Sequence, residues 1–148
     1  MSNWVTITSD DLKAGKRGEV VDIAASVSTG GADPVAECIG DAIARVRAAI
    51  SPGNQLDENT TLVPRSLRGL CVRIAIRALK DRIQLALTED ERGQRAEDIS
   101  YLNRIADQKV RFEEPDTPAG AAEMQVRGAE NAGRPDRREA TRRRMRGL

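Results

Sequence analysis

The stretch that decides the fold is residues 64–87, which read PRSLRGLCVRIAIRALKDRIQLAL. A proline opens the stretch, where the first turn of a helix tolerates it best, and none follows. Apolar residues recur along it at steps of three and four, which is the period of an α-helix. The stretch therefore predicts one long helix from about Pro64 to Leu87.

This helix carries apolar residues on two faces. The first face holds Leu67, Leu70, Cys71, Ile74, Ala78 and Leu85. The second face holds Ile76, Leu79, Ile83 and Leu87. A helix that is apolar on two faces is usually covered on both. The second cover could be a neighbouring subunit, which would make the second face a subunit contact, or it could be the preceding long helix or the N-terminal arm.

Upstream, Asp33-Pro34 is a strong start signal for a preceding helix, with an N-cap acid and proline at the first position. Its apolar stripe keeps helical spacing and consists of Val35, Ile39, Ile43, Val46 and Ile50. Ser51-Pro52-Gly53 ends this helix, and a loop over residues 51–63 leads to the next one.

Downstream, Thr88 and Glu91 predict a capping box for a third long helix that ends near Gln108. Its apolar face consists of Ala96, Ile99, Leu102, Ile105 and Ala106. An extended segment is expected over residues 110–113.

The N-terminal region predicts an extended entry over residues 4–7 and a short capped helix around residues 10–14, because Thr8 and Asp11 resemble a capping pair. Residues 17–31 are ambiguous, and a further short helix there is one interpretation. Aromatic residues make up 2% of the chain, so the core must consist of aliphatic side chains, which favours packed helices. The predicted fold class is all-α: a small bundle of three long helices with a short N-terminal helix.

Composition divides the chain into a helical domain over residues 1–114 and an Arg-rich extended tail over residues 115–148. The tail has eight arginines against five acids, a net +3, which leaves residues 1–114 at a net −2. Glycine, alanine, proline and arginine dominate the tail, so it cannot bury enough apolar surface to fold alone. We expect it to become ordered only on binding a partner.

Catalytic and metal-binding residue patterns are missing from the sequence. The chain has no histidine, the commonest general acid or base and the commonest metal ligand. Cys38 and Cys71 are too far apart in sequence for a zinc motif and are expected to be reduced core thiols. No enzyme activity, metal or cofactor is therefore expected. No apolar run is long enough for a membrane span, so we expect a cytoplasmic protein without membrane association.

The remaining candidates for contacts with a partner are basic residues. Arg73, Arg77 and Lys80 share one flank of the predicted helix, either as a solvated surface or as an interface with an acidic partner or DNA. The tail contains a dense group suited to phosphate or to a carboxylate-rich groove, namely Arg137, Arg138, Arg142, Arg143, Arg144 and Arg146.

The order of elements resembles the head–tail connector (adaptor, or head-completion) proteins of tailed phages, especially the Mu-like group. Four segments within residues 4–114 carry the resemblance. They are Ile7 to Lys13 (ITSDDLK), Leu62 to Leu67 (LVPRSL), Cys71 to Ala75 (CVRIA) and Tyr101 to Val110 (YLNRIADQKV).

The resemblance implies a virion protein of the phage neck, made in the host cytoplasm. It implies a ring, usually of twelve copies, that docks beneath the portal protein and extends the DNA channel. The ring would present a platform to the stopper or tail-completion protein, with packaged DNA passing through it. The tail arginines would then contact portal or DNA.

Two other function classes remain open. One is a small helical DNA-binding protein that uses the Arg-rich tail. The other is a helical adaptor in a non-viral complex.

Overall fold

A computed structural model describes residues 1–15, 17–28 and 30–120. In this part the chain is mainly helical and contains one two-stranded sheet. In chain order the elements are β1 (Trp4–Thr6), α1 (Ser9–Leu12), α2 (Arg17–Val27), α3 (Pro34–Ile50), β2 (Leu62–Pro64), a 3-10 turn (Arg65–Leu67), α4 (Arg68–Arg82) and α5 (Glu89–Ala106). The predicted mainly helical class is confirmed.

The two short strands tie the N-terminus to the segment before α4. β1 pairs antiparallel with β2, with Trp4 opposite Pro64 and Thr6 opposite Leu62. The expected extended entry is therefore a strand. The expected short helix is confirmed as α1, and the Asp11 carboxylate accepts the backbone N–H of Thr8 at 2.9 Å. The ambiguous region contains α2, which buries three small apolar side chains.

α3 begins and ends where its sequence signals predict. Asp33 is the N-cap, and its carboxylate accepts the backbone N–H of Val35 at 3.0 Å. Pro34 fills the first helical position, where its missing N–H has no intrahelical partner to lose. All five residues of the predicted stripe are buried, so this face of α3 forms one wall of the core.

α4 is shorter than the predicted helix over residues 64–87. It begins at Arg68, because the preceding residues form β2 and the 3-10 turn. It ends at Arg82, because Gln84 takes a left-handed conformation with a φ of 56°. The N–H of Leu85 then donates to the carbonyl of Lys80 at 2.8 Å, which closes the helix in a Schellman motif. Residues 83–88 form a linker to α5 instead of a last helical turn.

Two ion pairs show how the three long helices run relative to one another. Arg82 pairs with Glu37 at the beginning of α3, and Lys80 pairs with Glu91 at the beginning of α5. α4 therefore runs antiparallel to both helices. Asp11 of α1 pairs with Arg68 at the beginning of α4, and α2, which follows α1, packs along α4, so the last turn of α2 lies towards the same end. We call this end, which includes residues 83–88, the linker end.

α5 begins at the predicted capping box: Thr88 accepts the N–H of Glu91, and the Glu91 carboxylate accepts the N–H of Thr88. Only the second half of its predicted apolar face is buried, through Leu102 and Ile105. Ala96 and Ile99 are exposed. The backbone of α5 approaches α3 more closely than it approaches α4.

The segment after α5 returns across the opposite end of the body. Residues 113–119, which we call the C-terminal strap, bind the N-terminus and the loop before β2. The Asp116 carboxylate accepts the backbone N–H groups of Asn3 and Trp4 at 2.9 and 3.3 Å. The N–H of Ala119 donates to the carbonyl of Leu56 at 2.8 Å. The end that carries the strap is the strap end.

The strap corrects the predicted domain boundary. Residues 115–119 were assigned to the tail, but their backbone and the Asp116 side chain bind the helical domain. The expected extended segment at residues 110–113 lies outside any strand. The rest of the predicted tail, residues 121–148, lies outside the described residues.

Both cysteines lie in the core as free thiols, as predicted. Burial raises the pKa of Cys71 to about 12. Burial also raises the pKa of Cys38, although Arg82 beside it acts in the opposite direction. Since the thiolate is the reactive form, both groups are poor nucleophiles in the folded chain.

Candidate assembly interface

The predicted subunit-contact stripe of α4 does not form one exposed face. Ile76 and Leu79 are buried within the chain itself. The prediction is wrong for these two residues, because elements of the same chain cover that part of α4. Ile83 and Leu87 are half-buried and lie in the linker beyond the helix. For them the subunit contact stays a prediction.

Exposed apolar side chains lie at the linker end instead. Leu85 was expected on the first face of α4, but it is 45% exposed because the helix ends before it. On α2, Val27 is 60% exposed and Ile23, one turn earlier, is 48% exposed. We call Ile23, Val27 and Leu85 the linker-end apolar group. Isolated exposed apolar residues need no explanation, but three towards one end of the body are candidates for a protein contact.

The basic flank of α4 is neither a solvated surface nor a free interface. Arg73 and Arg77 both bind the Asp98 carboxylate of α5, with N–O distances of 2.8 and 2.6 Å. Lys80, one turn further along, pairs with Glu91. The acidic partner predicted for this flank is α5 of the same chain. These contacts join α4 to residues 91–98 of α5.

Asp98 is the centre of this ion-pair cluster and is 3% exposed. Its burial alone would raise its pKa, but hydrogen bonds from Arg73 and Arg77 outweigh the desolvation and hold the pKa below its usual value. Arg73 binds through two nitrogens, Nε and Nη2. A buried carboxylate that receives two guanidinium groups fixes the angle between two helices more than it adds net stability.

Glu91 joins the helix cap to the same cluster. A hydrogen bond from Lys80 and another from the backbone N–H of Thr88 lower its pKa. One side chain therefore both caps α5 and holds its first turn against α4. Sequence analysis predicted the cap but not the ion pair.

A cleft opens between α3, α4 and residues 95–102 of α5. Its volume is about 90 Å³. Its floor is apolar, and charged groups stand at its rim. The lining residues are Arg45, Ile74, Arg77, Ala78, Asp81, Arg95, Ile99 and Leu102. Ile99 is 39% exposed at the mouth. The exposed charged lining residues are two arginines, Arg45 and Arg95, and one acid, Asp81. The rim is therefore net positive and suits an aliphatic side chain that is followed by acids.

The strap end is built around Arg47, in the last turn of α3. Its buried guanidinium donates to the backbone carbonyls of Asp57, Asn59 and Leu62 at 2.7, 3.1 and 2.8 Å. It also lies 5.6 Å from the centre of the Trp4 ring, within the range of a cation–π contact. The long loop before β2 is therefore ordered by a side chain of the preceding helix.

Asp57, in that loop, is the second buried polar group of the strap end. Its carboxylate accepts the N–H of Asn59 at 2.9 Å and the N–H of Thr117 in the strap at 3.0 Å. The last described residue, Gly120, therefore follows directly on the strap. The predicted tail contacts, Arg137, Arg138, Arg142, Arg143, Arg144 and Arg146, lie outside the described residues.

The described residues contain no group of three or more cysteine or acidic side chains placed to hold a metal ion. None of the helices in this part is long and apolar enough to cross a membrane. The described features that stand out are thus surfaces and ion pairs.

Several features of these surfaces depend on residues that are distant in sequence and have no signal in the sequence. Arg47 occupies a buried position among apolar residues of α3, but nothing in the sequence named its three carbonyl acceptors. Arg45 and Arg95 are 50 residues apart, and only the packing of α3 with α5 brings them to one cleft. Leu85 could have been identified only from the end of α4.

No protein-family model matches the chain, and no curated protein or solved structure matches it either.

Proposed function

We propose that this chain is a structural protein of a phage neck, a head–tail connector that forms a ring beneath the portal and has no catalytic role. Support comes from the resemblance of residues 4–114 to that family. The resembling segments fall on α1, on β2 and the turn after it, on α4 and on the end of α5. In this proposal the three long helices α3, α4 and α5 form the bundle of the connector domain.

The observation that carries the proposal is the two-ended organisation of the body. The linker-end apolar group lies at one end, and the C-terminal strap lies at the other end. A connector must bind several partners at once without letting them compete for one surface. Separate contact surfaces at opposite ends of α4 meet that requirement.

The linker end supplies the contact between copies in this proposal. Leu85 and Val27 are exposed, and Ile83 and Leu87 are half-buried beside them. A contact that joins unlike surfaces of neighbouring copies generates a closed ring when the rotation closes. The family resemblance gives twelve as the expected number of copies.

The Arg-rich tail supplies the contact with the portal protein. Arginine suits a carboxylate-rich protein groove because its planar fork binds carboxylates through paired hydrogen bonds. The ring would then offer its remaining face to the stopper or tail-completion protein, and packaged DNA would pass through the channel.

The test is binding of the full chain to the portal protein encoded by the same genome, followed by electron microscopy of the complex. We expect a ring of this chain on the portal. A matched chain that ends at Gly120 keeps the whole strap and should lose portal affinity, most strongly at low salt. The opposite result is a full chain that does not bind the portal but shifts duplex DNA in a gel, with an affinity for DNA that falls steeply as salt rises. That result would overturn the proposal in favour of a DNA-binding protein.

A further inference from the structure

A short acidic segment at the linker end complements the cleft between α3, α4 and α5. Residues 85–90 read LALTED, so the exposed Leu85 is followed within five residues by Glu89 and Asp90. Both acids are exposed in the first turn of α5. The segment therefore presents an aliphatic side chain next to two negative charges.

The cleft presents the opposite pattern. Ile74, Ala78 and Ile99 give it an apolar interior. Its volume of about 90 Å³ is smaller than the roughly 150 Å³ of a cavity that holds benzene, and is on the scale of one aliphatic side chain. Arg45 and Arg95 stand exposed at its rim.

The exposed charges of both surfaces form no ion pair within the described part of the chain, whereas Arg77, deeper in the cleft, pairs with Asp98. Neither Glu89 nor Asp90 forms an ion pair there, and neither do Arg45 and Arg95. Other charges at the same end do pair, as Arg82 does with Glu37. Residues 85–90 do not line the cleft of their own chain.

We infer that residues 85–90 of one copy dock into the cleft of a second copy. Leu85 enters beside Ile99, and Glu89 and Asp90 face Arg45 and Arg95. The inference rests on the proposed function in taking a second copy of this chain as the partner. A second copy always carries both surfaces, so one contact leaves one segment and one cleft free for the next neighbour, as ring closure requires.

Cysteine cross-linking tests this contact. A Leu85→Cys chain and an Ile99→Cys chain with a different affinity tag are mixed and oxidised. Both positions are exposed, so neither substitution disturbs the core. The native thiols are buried and have raised pKa values, so they contribute little background. We expect a disulfide-linked heterodimer from this mixture.

The matched control replaces Ile99→Cys with Lys109→Cys, which is exposed at the strap end. We expect little cross-linking between Leu85→Cys and Lys109→Cys. Equal yields from both mixtures would mean random collision and would overturn the inference.

A second measurement tests the charges. Arg45→Gln with Arg95→Gln in the Ile99→Cys chain should lower the cross-linking rate roughly two- to thirtyfold at low salt, since two exposed ion pairs of about 0.2–1 kcal/mol each are removed. Arg111→Gln, at an exposed position beyond α5, should leave the rate unchanged. An unchanged rate in the double variant overturns the inference.

The two proposals fail in different ways. If the chain forms rings on the portal but Leu85 and Ile99 do not cross-link, the docking inference fails and the proposed function stands. If the specific cross-link forms but the assembly closes as a two-fold dimer that ignores the portal, the docking inference stands and the proposed function fails.

Discussion

The Arg77 guanidinium of α4 lies 2.6 Å from the Asp98 carboxylate of α5, and both side chains are largely buried. Arg73 binds the same carboxylate from one turn earlier on α4. Together with the pair between Lys80 and Glu91, these contacts hold residues 91–98 of α5 against α4. Arg95, Ile99 and Leu102 of α5 form one wall of the proposed docking cleft, so the ion-pair cluster also positions that cleft.

Asp98→Asn should lower the free energy of unfolding by about 2–4 kcal/mol. The asparagine amide is neutral and cannot balance the charges of the two guanidinium groups. Those charges then stay partly buried without a counterion. Urea unfolding followed by the fluorescence of Trp4, the single tryptophan, measures the change. Asp41→Asn, at an exposed position of α3, is the matched control and should stay within about 0.5 kcal/mol of the parent. Equal loss in both variants would show that the cluster has no special role.

Stability should fall on acidification below about pH 5. The pKa values of Asp11, Asp98 and Glu113 are lowered because hydrogen bonds outweigh their burial, and that of Glu91 is lowered chiefly by Lys80. A carboxyl with a depressed folded-state pKa stabilises the fold above its unfolded pKa, about 3.9 for Asp and 4.3 for Glu. That contribution disappears as the pH falls through the folded-state value.

Urea midpoints between pH 8 and pH 3 test this pH dependence. The chain has no histidine, so the free energy of unfolding should be nearly flat between about pH 6 and pH 8. Asp98→Asn should make the acid slope shallower. A variant slope that matches the parent slope would mean that Asp98 titrates alike in the folded and unfolded chain.

The helix starts could be predicted from sequence because each uses a local signal. Asp33-Pro34 and the Thr88–Glu91 box lie within four residues of the helices they begin, and both are confirmed. The end of α4 could not be predicted, because its left-handed residue is Gln84 where a glycine would have marked the stop. A helix that continued to Leu87 would place Leu85 on the first apolar face, whereas the structure exposes it.

Gln84→Gly should stabilise the chain by about 0.5–1 kcal/mol, since glycine takes the left-handed conformation without the steric cost that a side chain carries. Gln94→Gly provides the opposite control. Gln94 lies inside α5 and is exposed, and glycine in a helix interior costs about 1 kcal/mol. Thermal unfolding should thus move in opposite directions for the two substitutions, and a loss of stability with Gln84→Gly would contradict the Schellman ending of α4.

The assembly surfaces were only partly predictable, for a different reason. Periodicity identifies apolar positions but does not say which element covers them, so Ile76 and Leu79 were assigned to a neighbouring subunit although the chain buries them itself. Likewise, the helical spacing of Arg73 and Arg77 showed one shared flank but not the Asp98 carboxylate that binds both. Those partners are fixed by tertiary packing, which leaves no local sequence signal.

Arg47→Met should cost about 2–4 kcal/mol, because it leaves three backbone carbonyls of the loop before β2 without their donor. The emission of Trp4 should also shift, since the guanidinium lies 5.6 Å from its ring. Arg45→Met, two residues earlier and exposed, is the matched control and should change neither quantity much. A small, equal effect of both substitutions would mean that the loop does not depend on Arg47.

A chain that ends at Glu114 should be less stable than one that ends at Gly120 by about 2–4 kcal/mol. The shorter chain loses the hydrogen bonds that the Asp116 carboxylate accepts from the N–H groups of Asn3 and Trp4. It also loses the hydrogen bonds of the strap with Leu56 and Asp57. Each hydrogen bond contributes about 0.5–1.5 kcal/mol. The longer chain should unfold at the same urea concentration as the full chain. If both truncations unfold alike, the strap contributes nothing; if they differ as expected, portal-binding experiments on the tail must begin their deletions after Gly120.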